Sequence, residues 1–400
     1  MNLHFTLLPD GFAATYPTLP IDAWTRLAKE ATPAQVDAVL ARGRAETPED
    51  FAVLLSPAAS DPARLERMAA LARTHTLRHF GKTIRLFAPI YLSNECINNC
   101  KYCGFSRDNQ IPRITIPLQQ AEDEMRMLAD QGFRSILIVA GEHPKYVSNG
   151  YVVEVVRRAL RLMPDVAIEL GPMETEHYRP IVEAGCEGLI VYQETYDKAV
   201  YESLHLSGPK RHCHWRMDTP ERGYAAGFRR LGIGALLGLN DWRREVVSLA
   251  AHGRHLLRRC WKSTLTVSLP RMRPAAGEFQ VDPAHCPSDR EFVQALFALR
   301  LYLPTAGITQ STREPARMRD GLMGLCITHV SAGACTEPGG YSNYDPATWR
   351  PRDPQPGEQF HIADERSPRE VADAIRGRGL EPVWKDFDSA LASPHNPASP

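Results

Sequence analysis

From about residue 83 the chain alternates short apolar runs with stretches whose apolar residues recur every three or four positions, the marks of strands and amphipathic helices. The first strand is expected over Ile84 to Leu92. A helix follows from Pro117 to Asp130, with proline in its first turn and Gly132 behind it. The pattern then predicts a strand over 135–140, a helix over 151–162, a strand over 166–170, a helix over 174–184 and a strand over 188–193. Asp218 or Thr219 can cap the next helix. Further strands are expected at 233–239, 265–269, 308–311 and 325–330, separated by helices over 241–260 and 289–302.

Eight such alternations predict an α/β fold, a TIM-like (βα)8 parallel barrel, in which ligands sit at the C-terminal ends of the strands. Residues 1–82 lack strand patterning and read as a helical extension, with helices at 34–42 and 62–80. The barrel is expected over 83–330. From Ser331 to about Ile362 the chain turns rich in Gly, Pro, Tyr and charge. A last helix is signalled at Ser367, Pro368 and Glu370 by a capping-box pattern. Residues 331–390 therefore read as a C-terminal extension packing on the barrel, and 391–400 as a disordered tail.

Lys plus Arg and Asp plus Glu both number 47, so no net charge steers the chain toward nucleic acid or an anionic membrane. No apolar run approaches the roughly 20 residues that span a bilayer, and the opening MNLHFTLLPDGF has neither the basic region nor the apolar stretch of a signal peptide. A cytoplasmic protein acting on a small molecule is the expectation. Nine cysteines, an odd number spread over 400 residues, do not suit a disulfide framework, and in a reducing compartment clustered cysteines point to metal.

Three of them, Cys96, Cys100 and Cys103, fall in LSNECINNCKYCGFS, directly after the first strand. Three thiolates at these spacings can wrap a cubane [4Fe–4S] cluster and leave one iron open to chelate a small molecule. A structural zinc site would want a fourth ligand at short spacing, and His79 and His143 lie in poor register for it. A ferredoxin would want a fourth cysteine in a compact run.

This spacing, with Tyr102 before the third cysteine and a parallel barrel following, resembles the radical SAM superfamily. The resemblance implies that the open iron binds the amino and carboxylate groups of S-adenosylmethionine (SAM), so that the cofactor rather than a side chain generates the radical. It further implies SAM contacts from Tyr102, from Gly141 and Glu142 in Val139-Ala140-Gly141-Glu142, where Ala140 replaces a first glycine, from Glu194, and from Arg216. Glycines 232–238 are expected to let the backbone approach adenine. Arg313, after the seventh strand, is suited to clamp a substrate carboxylate bidentately. Ser331 and Tyr91 are expected beside it, while a salt bridge to Glu314 is the plainer use of Arg313. Arg271 and Arg273 are further candidates.

The segments APIYLSNECINNCKYCGFS, IVAGEHPK, VYQETYDKAVYESLHLSGPK, WRMDTPER, LPRMRP, STREP and PVWKDFDSAL resemble, over about residues 20–390, the 2-iminoacetate synthases, the tyrosine lyases of thiamine thiazole synthesis. That resemblance implies cleavage of the Cα–Cβ bond of L-tyrosine to 2-iminoacetate (dehydroglycine) and p-cresol, with 5′-deoxyadenosine and methionine formed from SAM. It also implies a flavodoxin- or ferredoxin-type electron donor and hand-over to a thiazole synthase. The sister [FeFe]-hydrogenase maturases carry a second, C-terminal cluster, whereas no cysteine follows Cys335 here. The alternatives are such a maturase-like lyase without its second cluster, a biotin-synthase-like enzyme, or a non-catalytic iron–sulfur electron-transfer protein.

Overall fold

The alternation closes on itself. The computed structural model describes residues 5, 7–277, 279–352 and 357–384. Its eight barrel strands are β1 (Thr83–Ser93), β2 (Ser135–Ala140), β3 (Asp165–Glu169), β4 (Gly188–Glu194), β5 (Arg230–Ala235), β6 (Thr264–Ser268), β7 (Gly307–Gln310) and β8 (His329–Ser331). Each pairs in parallel with the next, and β8 returns to β1 through Arg85↔His329, Leu86↔Val330 and Phe87↔Ser331. Closure leaves the barrel without a free edge.

The helices pack on the barrel by their apolar stripes. In Asn149–Leu162 the buried residues Val152, Val155, Val156 and Ala159 recur at helical spacing, and the Ser148 side chain accepts from the Tyr151 N–H at the first turn. Asp289–Tyr302 starts with a capping box of Ser288 and Glu291. The expected N-terminal helices are present as Pro33–Arg42 and Pro62–Phe80, joined by Ile21–Glu30 and Pro48–Val53, which the sequence reading missed. Trp24, Phe51 and Leu54 from this region share one continuous core with Leu249 and Phe292 of the barrel helices.

Two strands differ from expectation. The strand read as 233–239 is Arg230–Ala235, and the apolar residues after it leave the sheet before Gly238, whose φ of 116° is open to glycine. The strand read as 325–330 is His329–Ser331, because the N–H groups of Leu325, Cys326 and Ile327 turn back to the Leu322 carbonyl. Beyond the barrel, Ser367 and Glu370 form the expected capping box of the helix Pro368–Arg376. An unforeseen ninth strand, β9 (Glu381–Val383), then pairs in parallel with Thr83–Arg85 at the start of β1. Residues 391–400, read as a disordered tail, lie outside the described residues. No helix among the described residues is long and apolar enough to cross a membrane.

Candidate functional site

The C-terminal ends of the strands surround one cavity. Its wall includes Tyr91, Tyr102, Cys103, Glu169, Tyr192, Glu194, Lys210, Arg313, Ser331, Gln359 and Phe360. All three cysteines of the loop after β1 are free thiols. Cys96 and Cys103 pack against Tyr91, Phe105 and Val139, while Cys100 and Cys103 pack around Tyr102, Leu236 and Leu239.

The loop is held by backbone-directed bonds. Arg113 donates to the carbonyls of Asn94, Phe105, Ser106 and Asn109 at 2.7, 3.0, 2.6 and 3.0 Å. The Cys100 N–H donates to Ser106 Oγ at 3.1 Å. Residues Asn99–Cys100 form a two-stranded ribbon with His205–Ser207.

Burial pushes the Cys100 and Cys103 thiols up, so that each stays protonated unless a cation replaces its proton. Iron would do so, and three free thiols on one fixed loop beside an open cavity suit a cubane. Among the described residues no three His, Cys, Asp or Glu side chains close around a single metal ion.

The β2 end lies against this loop. Gly141 donates to the Ser93 carbonyl at 2.8 Å, and a Cβ there would stand 2.3 Å from the Glu95 carbonyl oxygen. The Glu142 carboxylate accepts from Asn98 Nδ2 at 2.7 Å, and its carbonyl accepts from the Ile97 N–H at 2.9 Å. Gly171 makes room for it, since a Cβ there would come 2.4 Å from Glu142 Cδ. Burial pushes the Glu142 carboxyl up despite the Asn98 bond.

Glu194 ends β4 in the left-handed region, φ 73°, which costs about 1–2 kcal/mol for a residue with a Cβ. Its carboxylate lies 2.8 Å from Lys210 Nζ and 3.7 Å from Arg216. Burial alone would raise its pKa, but Lys210 and Arg216 together hold it below the usual value. Arg216 is no surface arginine: it is 7% exposed and donates through Nε to the Tyr192 carbonyl at 2.7 Å.

Tyr102 is buried, and its hydroxyl meets His205 Nε2 at 2.8 Å. Because His205 Nδ1 faces the Tyr201 carbonyl at 2.7 Å, Nδ1 carries the proton and Nε2 accepts from Tyr102. Burial, aided by Lys210, lowers His205 to about 3, so the ring stays neutral.

Across the cavity, the Arg313 guanidinium stacks on Phe360 with no ion pair among the described residues. The expected alternative, a bridge from Arg313 to Glu314, is overturned: Glu314 pairs with Arg271 and, at 3.2 Å, with Arg273. Those two arginines are committed to that carboxylate and drop out as substrate candidates. Ser331 Oγ accepts from the Thr312 N–H at 3.2 Å, which leaves its own proton to donate. Tyr91 donates to Gln359 Oε1 at 2.8 Å. The glycines of β5 serve packing rather than a ligand, because Ile190 fills the space at Gly232 and the Tyr192 ring that at Gly234.

Sequence reading missed Lys210, His205, Arg113, Glu169 and the extension residues Gln359 and Phe360. Only Glu169 left a local signal, an acid closing the apolar run of β3.

A closed parallel barrel with this three-cysteine loop at its mouth is the architecture of a radical SAM enzyme, whose cofactors are a [4Fe–4S] cluster and SAM; the sequence profile described as Radical SAM superfamily matches residues 90–250. The Biotin and Thiamin Synthesis associated domain matches residues 268–381. The chain is 39% identical over 344 residues to the 2-iminoacetate synthase of Salmonella typhimurium, covering 86% of this chain and 88% of the relative. It is 39% identical over 346 residues to that of Escherichia coli, with the same coverage. It belongs to the 2-iminoacetate synthase family of carbon–carbon lyases. Among solved structures, the FeFe-hydrogenase maturase HydG of Carboxydothermus hydrogenoformans superposes with a TM-score of 0.80 at 30% identity, over 94% of this chain and 83% of that one.

Proposed function

We propose that this protein cleaves the Cα–Cβ bond of L-tyrosine, giving 2-iminoacetate and p-cresol while SAM becomes 5′-deoxyadenosine and methionine, in the service of thiazole formation for thiamine. The carrying observation is that two features line one cavity. One is Cys103 of the thiol loop, and the other is Arg313, a guanidinium fixed by stacking and uncommitted to any acid among the described residues. That is a receptor for a carboxylate placed beside a radical source.

Cys96, Cys100 and Cys103 would hold the cluster, and Tyr102, Gly141, Glu142, Glu194 and Arg216 would receive SAM. When bound, the pair supplies a 5′-deoxyadenosyl radical. Gly141 lets the Glu95 carbonyl of the cysteine loop pack against the β2 end, and Glu142 offers a carboxylate to an ammonium group. Arg313 grips the substrate carboxylate by two parallel bonds, Ser331 donates a third, and Tyr91 supports the ring. Barrel and extension together keep water from the radical.

In this reading a helical part precedes residue 83, the barrel takes 83–330 and a covering part follows from residue 331. The reductant is a flavodoxin- or ferredoxin-type donor. Dehydroglycine hydrolyses in water, so a thiazole synthase takes it directly. HydG is the closer guide to a second reading, a maturase-like lyase, but the greater identity to the two synthases favours the first.

The test incubates anaerobically reconstituted, reduced protein with SAM and tyrosine and measures 5′-deoxyadenosine and p-cresol. Both products are expected. Deoxyadenosine without cresol would overturn the choice of tyrosine.

A further inference from the structure

We infer that Glu169 receives the ammonium group of the amino-acid substrate and accepts the proton that group sheds, while Arg313 holds the carboxylate across the same cavity. This rests on the proposed amino-acid lyase reading.

Glu169 is the last residue of β3. It is in register with Val139 of β2, which is in register with Tyr91 of β1, and all three side chains line the cavity. Its carboxylate makes no hydrogen bond or ion pair among the described residues. The other charged groups on that wall are spoken for: Glu194 binds Lys210 and faces Arg216, and Arg273 is held by Glu314.

What is left over is one carboxylate and one guanidinium of opposite sign, too far apart to pair with each other. Enclosed charges without partners are costly. A zwitterion with its own carboxylate and ammonium one carbon apart relieves both at once, whereas a neutral or singly charged ligand relieves at most one.

The chemistry agrees with the position. Burial pushes the Glu169 carboxyl up to about 7, Glu194 adds to the rise, and Arg313, Arg216 and Lys210 oppose it. The other titratable groups on that wall, Tyr91, Tyr102, Tyr192 and Cys103, are themselves pushed up by burial. A carboxylate titrating near neutrality is matched to taking a proton from an ammonium group. In that step one N–H bond breaks, an O–H bond forms on Glu169, and nitrogen keeps its electron pair as a neutral amine. No oxidant or reductant is consumed.

The test compares reconstituted wild-type holoenzyme with Glu169→Gln, using two probes: tyrosine, and 3-(4-hydroxyphenyl)propionate, which lacks only the amine. The [4Fe–4S]⁺ signal and its response to SAM report that the variant is assembled. Glu169→Gln should weaken tyrosine binding at least tenfold and leave propionate binding within twofold of wild type. It should also remove the rise in kcat/KM for tyrosine as pH increases through about 7. If Glu169→Gln takes up no cluster, Glu169→Asp is put through the same comparison. Equal losses for both probes would overturn the assignment, pointing to a contact with the phenol or to a merely structural role. So would unchanged tyrosine binding. A wild-type enzyme that makes no p-cresol would refute the tyrosine reading itself, a result distinct from an active wild type indifferent to Glu169→Gln.

Discussion

The Arg313 guanidinium carbon lies 3.3 Å from the centroid of the Phe360 ring, so a residue after β7 is aimed by an aromatic from the C-terminal extension. Arginine stacks and forks, whereas lysine does neither. Arg313→Lys should therefore keep SAM cleavage but weaken tyrosine by roughly 10- to 100-fold, about 1.4–2.8 kcal/mol, given that each 1.4 kcal/mol is a factor of ten. Phe360→Leu should cost a smaller amount, about 0.5–2 kcal/mol, by removing the stack alone. Tyrosine titrations of the two variants check this, and wild-type affinity in Arg313→Lys would refute the role.

Gly141 tests the seam between the β2 end and the cysteine loop. Gly141→Ala drives a Cβ into the Glu95 carbonyl oxygen, one residue before Cys96, and backbone cannot step aside as a side chain can. Overpacking of this kind costs about 1–3 kcal/mol. The variant should fold with a lowered unfolding midpoint and take up less iron than wild type. Iron content and denaturant titration read the two effects separately.

The bond from Tyr102 to His205 links the residue before the third cysteine to the ribbon strand opposite it. Tyr102→Phe removes the donor and leaves the buried His205 Nε2 with nothing to accept from. About 1–3 kcal/mol of stability should be lost. His205→Phe in the Tyr102→Phe background should recover part of it, because both ends then become apolar. A double-mutant cycle showing strict additivity would contradict the coupling.

Asp364 pins the extension to the barrel. It is 2% exposed, pairs with Arg319, and lies 2.8 Å from Arg366, which in turn binds Asp320. Asp364→Asn strands Arg319, a fully buried cation, at a cost of about 3–5 kcal/mol. Burial alone would raise the Asp364 carboxyl, but Arg366 and Arg319 hold it below 3.8. A lowered folded pKa contributes stability that is present above 3.8 and lost as pH falls through the folded value. The wild type should thus lose stability below about pH 4 in excess of Asp364→Asn, a difference that acid titration of the two unfolding midpoints would show.

How much of this was legible follows from where each signal lies in the chain. Strands of a closed parallel barrel are buried on both faces and read as apolar runs, so seven were visible at or near their places, whereas the run read as the eighth shares only His329 and Val330 with it. The cysteine triad was visible because its members are contiguous. Gly141 and Glu142 follow a strand directly and could be placed at its end.

Lys210 and His205 were not legible, since they meet Glu194 and Tyr102 only after the chain folds. The Tyr102–His205 contact spans 103 residues. Arg113 sits in a stretch without periodicity. β9 was hidden because three residues with a proline among them carry no alternation. The sequence also suggested a use for the β5 glycines that packing had already claimed.

β9 has a mechanical meaning when set beside Asp364. The segment covering the cavity from Ser331 onward is tied at one end to β8 and near Asp364 to Arg319, and the chain beyond is tied again where β9 joins β1. Thr336, Gln359 and Phe360, which reach the cavity, therefore belong to a span moored on both banks rather than to a flap hung from one. The conformational entropy of a span is limited by the fixed distance between its moorings. Cutting the chain before β9 would release only the outer mooring, whereas cutting before Asp364 would turn the bridge into a loose end and leave Arg313 without the ring that aims it.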